Sequence, residues 1–314
     1  MPWRRVGVHL VAGVALLVAA ALALAGVGDR ADALTNRQAF VLGVVQGLTE
    51  LLPISSSGHL ILVPWLADWE FLKRDDEFNQ TFDVALHLGT LVAVVGYFRG
   101  TIVALARAWV GSVRRRRVQS GEERIAWVVA IATVPAAIVG AFGEELISDE
   151  LGEPWQIAIL LAVFAVVLWV ADRTKPRREV SDLGVRGALA LGLAQTFSLA
   201  PGVSRSGITI SAARLLGLDR ESAANVSFLL LVPITLGAVV WKGVNDVVLG
   251  DLPAGWVGPF VVGTVAALGS GLVAIWALLG YVRRRDYTVF VVYRLLAATV
   301  VLLLIATGVR EAGF

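Results

Sequence analysis

Six apolar runs, at about residues 82–106, 125–143, 154–171, 222–241, 252–282 and 287–309, each come close to the roughly 20 residues an α-helix needs to cross a hydrocarbon layer. Nothing else in the chain restricts its fold as strongly. Backbone N–H and C=O groups in lipid have no water to bond, so a lone segment satisfies them by coiling into a helix. The rest of the chain agrees: 57% of its 314 residues are hydrophobic and the mean hydropathy is +0.76, too apolar for a soluble domain. A seventh run, residues 6–28, follows Arg4 and Arg5 and precedes the small residues Ala31 and Ala33. Its length favours an extra N-terminal hydrophobic helix over a cleaved signal peptide, which sets residues 1–35 apart from a single membrane domain over 36–314.

The formal net charge of +2 says little as a total, whereas the placement of the arginines says a good deal. There is no cysteine, so disulfides, thiol nucleophiles and thiolate metal sites are excluded. Three histidines, His9, His59 and His87, are too few for a histidine-rich metal centre. No basic patch is interleaved with aromatic residues, so nucleic acid is not an expected partner.

Two stretches interrupt the apolar pattern with polar residues. The first, Gly43 to Leu60, reads GVVQGLTELLPISSSGHL and carries Gln46, Glu50, Pro53, three serines, Gly58 and His59. The second, Gly192 to Ile210, reads GLAQTFSLAPGVSRSGITI and repeats its outline. Gly43 and Gln46 align with Gly192 and Gln195, and Ser55-Ser56-Ser57-Gly58 aligns with Ser204-Arg205-Ser206-Gly207 at the same spacing. The chain is therefore a duplication, with repeat 1 over about 39–172 and repeat 2 over about 187–309.

Each stretch is long enough to cross once, but proline and the Ser/Gly cluster break it near its centre. A helix pair that enters and leaves on one side fits better, because broken backbone at membrane depth is tolerated where it lines a cavity enclosed by protein. If Arg4 and Arg5 are cytoplasmic and both stretches are re-entrant, Arg114 to Arg117, the cluster of Arg173, Lys175, Arg177 and Arg178, and Arg283 to Arg285 all fall inside. The acidic loop of Glu144, Glu145, Asp149, Glu150 and Glu153 then falls outside. A single crossing by residues 39–67 would move Arg114 to Arg117 outside. The expected fold is thus an all-α polytopic membrane protein with an inverted-topology repeat, each repeat a re-entrant pair plus three transmembrane helices. Asp219 is expected to cap the helix that starts near Glu221, after Gly217 closes the preceding one.

Inverted repeats would bring the two Ser/Gly tips together near the midplane, where helix N-termini and amides bind an anion. Intramembrane ionisable groups are costly and point to function. Gln46 and Glu50 share a helix face, and Glu50 is a candidate acid, base or ligand of a hard divalent ion. The plainer reading is a carboxylate paired with arginine for packing. Ser55, Ser56 and Ser57 could cup phosphate oxygens, one of them acting as a nucleophile activated by His59; a solitary intramembrane serine would ordinarily do no more than bond helix backbone. Arg205 offers a guanidinium fork matched to phosphate, with Glu50 as the purely structural alternative partner. His87 reads as a buried, hydrogen-bonded histidine, and Arg294 as a side chain that snorkels to the interface.

GLTELLPISSSGHL and PGVSRSGITIS together closely resemble the paired signatures of the undecaprenyl-diphosphatase (bacitracin-resistance protein) family, and the likeness runs from about residue 38 to the C-terminus, including SFLLLVPITLGA. The resemblance implies a multi-pass enzyme of the bacterial plasma (inner) membrane, its site opening to the outer side, that removes the terminal phosphate of undecaprenyl diphosphate. Undecaprenyl phosphate, the lipid carrier for peptidoglycan and other envelope glycans, would be the product. A divalent cation, magnesium or calcium, would support activity. By motif position the nucleophile would be Ser56, with Glu50 and His59 in acid/base or metal work. Arg205, Ser204 and Ser206 would hold the diphosphate, with Gln46, Ser55, Ser57, Gly58 and Gly207 lining it. The partners implied are a polyprenyl diphosphate and the bilayer, and a homodimer stays open. One departure stands out: where the family reads Glu-Gly-x-x-Glu, this chain has Gln46, which can orient a ligand through its carbonyl but carries no charge and exchanges no proton. A polyprenyl-phosphate transporter or flippase, or a paralogue acting on another lipid diphosphate, remains the alternative.

Overall fold

The structure, a computed structural model, describes residues 34–69, 76–248 and 255–313. The N-terminal hydrophobic run, with His9, lies outside the described residues. Eleven α-helices and no strand are found among the described residues: α1 (Asn36–Leu51), α2 (Ser56–Ala67), α3 (Asp76–Tyr97), α4 (Arg99–Arg115), α5 (Gly121–Glu150), α6 (Pro154–Ala171), α7 (Val185–Thr196), α8 (Arg205–Leu215), α9 (Arg220–Lys242), α10 (Val257–Val282) and α11 (Thr288–Ala306). Six of these are long and apolar enough to cross a membrane: α3, α5, α6, α9, α10 and α11. They present large apolar side chains outward, among them Trp276 at 72% and Val265 at 60% exposure, the reverse of a soluble surface.

One expected run divides. Residues 82–106 do not form a single helix, because α3 ends at Tyr97 and a new helix, α4, starts at Arg99. The second half carries Arg99, Arg107, Arg114 and Arg115 on one helix with exposed Val103, Trp109 and Val113, so it is amphipathic and could not continue an apolar span. The break before α9 falls where expected: Gly217 takes φ +93°, and the Asp219 carboxylate caps the helix by accepting from the Ser222 amide at 2.9 Å.

The two motif stretches are each broken into a helix pair, α1–α2 and α7–α8, with the break at Leu52–Ser55 in one and at Phe197–Ser204 in the other. Both outer ends of the first pair lie at one end of the bundle: Asn36 sits against Gly258, and Asp68 pairs with Arg310 at 3.0 Å. The arginine clusters lie at the other. Arg115 pairs with Glu123, Gly121 faces Ser181, the amides of Arg177 and Arg178 donate to the Gly217 carbonyl, and Arg283 pairs with Glu221.

Glycines set how closely the short helices approach the long ones. A Cβ at Gly43 of α1 would collide with the Gly263 carbonyl of α10, so no larger residue fits there. At the aligned Gly192 of α7, a Cβ would stand 2.6 Å from the Ala132 carbonyl and 2.9 Å from Pro135 of α5. Small residues at such crossings let backbones pack where no hydrophobic effect operates between helices.

Candidate active site

Both breaks are built on the same strained residue. Ser55 and Ser204, each immediately before a helix, take φ +77° and φ +76°, a region non-glycine residues seldom occupy. Such strain costs on the order of 1–3 kcal/mol and persists only where the surroundings over-determine it. Here they do. Ser55 is fully buried, and its Oγ accepts from the Gly202 amide of the other break at 3.1 Å. Ser206 Oγ crosses the other way, donating to the Leu52 carbonyl at 2.9 Å. Gly202 itself takes φ +99°, and a Cβ there would stand 2.7 Å from the Ile157 carbonyl.

Arg294 completes the junction. It does not snorkel: its exposure is 0%, and its guanidinium donates to carbonyls of both breaks. Nη2 reaches Gly202 O at 2.8 Å and Val203 O at 3.0 Å, Nη1 reaches Pro53 O at 3.4 Å, and Nε reaches Leu161 O at 3.2 Å. The two breaks offer more carbonyls than their own helices can satisfy. A fork of five donors collects them where a shorter side chain could not.

Glu50, 4% exposed, stands at the centre of the polar cluster. Its Oε1 accepts from Arg205 Nη2 at 2.9 Å and Nε at 3.2 Å, and its Oε2 accepts a short hydrogen bond from Ser56 Oγ. Gln46 Nε2 is 3.4 Å from Oε2, and His87 Nε2 is 3.5 Å from the same oxygen. Arg205 Nη1 also donates to the Ser227 carbonyl at 3.1 Å. Three of its five N–H groups are thereby engaged, leaving two to meet an anion.

Three expectations change on this geometry. His59 does not bond Ser56: its Nδ1 meets the Ser55 carbonyl at 2.6 Å and its Nε2 meets the Tyr293 hydroxyl at 2.7 Å. The group that receives the Ser56 hydroxyl is Glu50. Ser204 and Ser206 are 3% and 1% exposed and bond protein, Ser204 Oγ accepting from the Gly207 amide at 3.1 Å, so neither they nor the Gly207 amide face a ligand. Ser55 is likewise committed to the other break. His87 is hydrogen-bonded as expected, its Nδ1 meeting the Asp83 carbonyl at 2.7 Å, and its Nε2 also faces the Glu50 carboxylate.

Ser56 and Ser57 are half-buried, and the Ser57 hydroxyl has no hydrogen bond among the described residues. Because Ser55 does not cap α2 with its side chain, the first-turn amides of Ser56, Ser57 and Gly58 have no side-chain acceptor. Helix N-termini of this kind favour an anion. His87 was visible in the sequence only as a polar residue in an apolar helix; no spacing linked it to Glu50. Tyr293 and Arg294 carried no motif at all.

A buried carboxylate that accepts a serine hydroxyl, a guanidinium with free donors and an uncapped helix start, set among six membrane-length helices, define an integral membrane protein equipped to handle a phosphorylated anion. Residues 39–300 match the family described as bacitracin resistance protein BacA, and the chain belongs to that family. It is 42% identical over 282 residues to the undecaprenyl-diphosphatase of Pelotomaculum thermopropionicum, covering 90% of this chain and 100% of the relative. It is 45% identical over 266 residues to that of Geobacter sulfurreducens, covering 84% and 96%. An undecaprenyl-diphosphatase 2 of Stutzerimonas stutzeri is 40% identical over 273 residues, covering 85% and 97%.

Proposed function

We propose that the chain hydrolyses undecaprenyl diphosphate to undecaprenyl phosphate and inorganic phosphate, returning the lipid carrier to cell-wall synthesis. The observation that carries the mechanism is the contact of Ser56, Glu50 and Arg205 across the two helix breaks. Arg205 and the amides at the start of α2 take up the charge of the diphosphate. Ser56 Oγ attacks the terminal phosphorus, its proton passes to Glu50 Oε2, and the bond to the bridging oxygen breaks with undecaprenyl phosphate as the leaving anion. Water then attacks the phosphoserine, releasing phosphate and restoring the hydroxyl. Positioning and fixed charge supply most of the acceleration in such transfers.

Glu50 has both oxygens occupied by Arg205, Ser56, Gln46 and His87, and among the described residues no three His, Cys, Asp or Glu side chains are placed to hold a metal ion together. Gln46 Oε1, buried and without a hydrogen-bond partner, is an amide oxygen beside the Glu50 carboxylate and adds no charge. These residues do not by themselves fit a resident magnesium or calcium ion.

The re-entrant, inverted arrangement is supported by the shared end of Asn36 and Asp68, by Gly217 lying at the arginine-rich end, and by the alignment of Ser55 with Ser204 in backbone conformation. With the arginine-rich end cytoplasmic, the first pair descends from the outer face of the plasma membrane and the substrate reaches the site from the outer leaflet. A transporter reading asks only for anion binding. The Ser56 hydroxyl held on a carboxylate favours the enzyme.

The test is phosphate release from undecaprenyl diphosphate in detergent by the wild type, Ser56→Ala and Gln46→Glu, each with and without magnesium or calcium. Wild-type release that Ser56→Ala abolishes supports the assignment. Near-normal release by a folded Ser56→Ala protein rejects the nucleophile, and binding without release by the wild type favours the transporter.

A further inference from the structure

A polar cavity, about 580 Å³, lies at the arginine-rich end, where α6, α8, α9, α10 and α11 meet. Arg205 and Leu215 bound α8, so the far end of that helix, which carries Arg214 into this cavity, is about 15 Å from the catalytic cluster. The two sites are separate.

The cavity holds five cations, Arg173, Lys175, Arg214, Arg220 and Arg283, against four carboxylates. Every carboxylate is committed. Asp172 accepts from Arg220 at 2.7 and 3.2 Å and from the Tyr287 amide at 3.0 Å, with Arg214 Nε at 3.4 Å. Asp219 caps α9, Glu221 takes two N–H groups of Arg283, and Asp286 accepts from the Thr288 amide. Arg173 and Lys175 have no carboxylate partner among the described residues. Arg214 is 3% exposed, and its Nε, though ion-paired with Asp172 by distance, makes no hydrogen bond. The surplus is one positive charge, the complement of a phosphodiester monoanion.

The position of the rim says where such an anion comes from. The Arg173 guanidinium lies 3.1 Å over the Trp169 ring and donates to the Trp169 carbonyl. Trp169 is exposed on the same helix as the outward-facing Val163, Val166 and Val170, at the point where apolar side chains give way to charged ones. Tryptophan at that boundary marks headgroup depth, and basic pockets between helix ends at this level suit acidic headgroups. We propose that this cavity binds the phosphate headgroup of an acidic phospholipid from the leaflet at the arginine-rich end. Inorganic phosphate shares the chemistry but is largely dianionic at neutral pH and has no tail to lie along the apolar face.

The experiment uses the full chain in nonionic detergent, with thermal unfolding followed during titration by phosphatidylglycerol, phosphatidylcholine or inorganic phosphate. Phosphatidylglycerol is expected to raise the midpoint and phosphatidylcholine to leave it unchanged. Arg173→Ala/Lys175→Ala, on the rim and outside the buried ion pairs, should weaken the phosphatidylglycerol response about 5-fold per cation, about 25-fold in all, with phosphate release in phosphatidylcholine micelles unchanged. Arg114→Ala/Arg117→Ala, at the same end but outside the cavity, should keep the full response. Equal responses to the two lipids, or equal losses in the two double variants, overturn the site. Protection by inorganic phosphate matching that by phosphatidylglycerol overturns the lipid as its source.

Discussion

The two helix breaks share a backbone and divide the chemistry. Ser55 and Ser204 hold nearly identical φ, yet at aligned positions the first stretch has Glu50, Ser56 and His59 where the second has Leu199, Arg205 and Ile208. Their caps differ as well. Ser204 turns its hydroxyl inward to the Gly207 amide and closes its own helix, whereas Ser55 gives its oxygen to Gly202 and leaves the start of α2 open. A duplicated turn thus supplies hydroxyl, carboxylate and open amides from one copy and a guanidinium from the other. On the proposed mechanism, binding and attack therefore draw on both copies.

The sharpest way to break this division is to remove the chemistry of the first copy. Ser56→Ala and Glu50→Gln should each lower phosphate release by about 10³-fold or more, while the aligned Leu199→Gln, away from the cluster, should change it by less than about twofold. Comparable losses in all three, measured as initial rates in detergent, would erase the distinction. Arg205→Lys comes next: one ammonium cannot hold Glu50 and the Ser227 carbonyl and still present two N–H groups, so release should fall about 10²-fold.

Arg294 serves both copies equally, and its loss should be felt as stability. Arg294→Met strands carbonyls of Pro53, Gly202 and Val203 and should lower unfolding stability by about 3 kcal/mol, with Arg294→Lys recovering part. Thermal unfolding that leaves the two variants indistinguishable from wild type would remove it from the junction. A smaller effect is expected for Tyr293→Phe, which deletes the His59 partner: about 1 kcal/mol of stability and less than a tenfold loss of rate. A loss as large as that of Ser56→Ala would return His59 to the chemistry. Smallest of all, Ser204→Gly exchanges a cap for relief of positive φ and should shift stability by only a few tenths of a kcal/mol.

The legible part of this molecule is the part encoded locally. Apolar runs of spanning length mark five of the six long helices to within a few residues at most ends; the sixth, α3, starts six residues earlier than its run, at Asp76, and ends at Tyr97 because α4 begins with residues that pattern as an amphipathic helix. Gln46 and Glu50 could be placed on one face from their spacing, and Arg205 could be singled out because a guanidinium among apolar residues needs an anion. The Nε2 partners of His59 and His87 could not, since each comes from a distant helix: Tyr293 of α11 for one and Glu50 of α1 for the other.

By itself, then, the sequence determined that the chain is a bundle of membrane helices with two interrupted, similarly spaced polar stretches, because hydropathy, helix period and repeated spacing are properties of neighbours along the chain. Which serine faces the carboxylate, which serines tie the breaks together and which arginine is buried between them were decided by tertiary structure alone. Most hydroxyls here bond a carbonyl one turn back on their own helix, but Ser206, Arg205 and Arg294 find their acceptors on other elements, and only the packed fold brings those within reach.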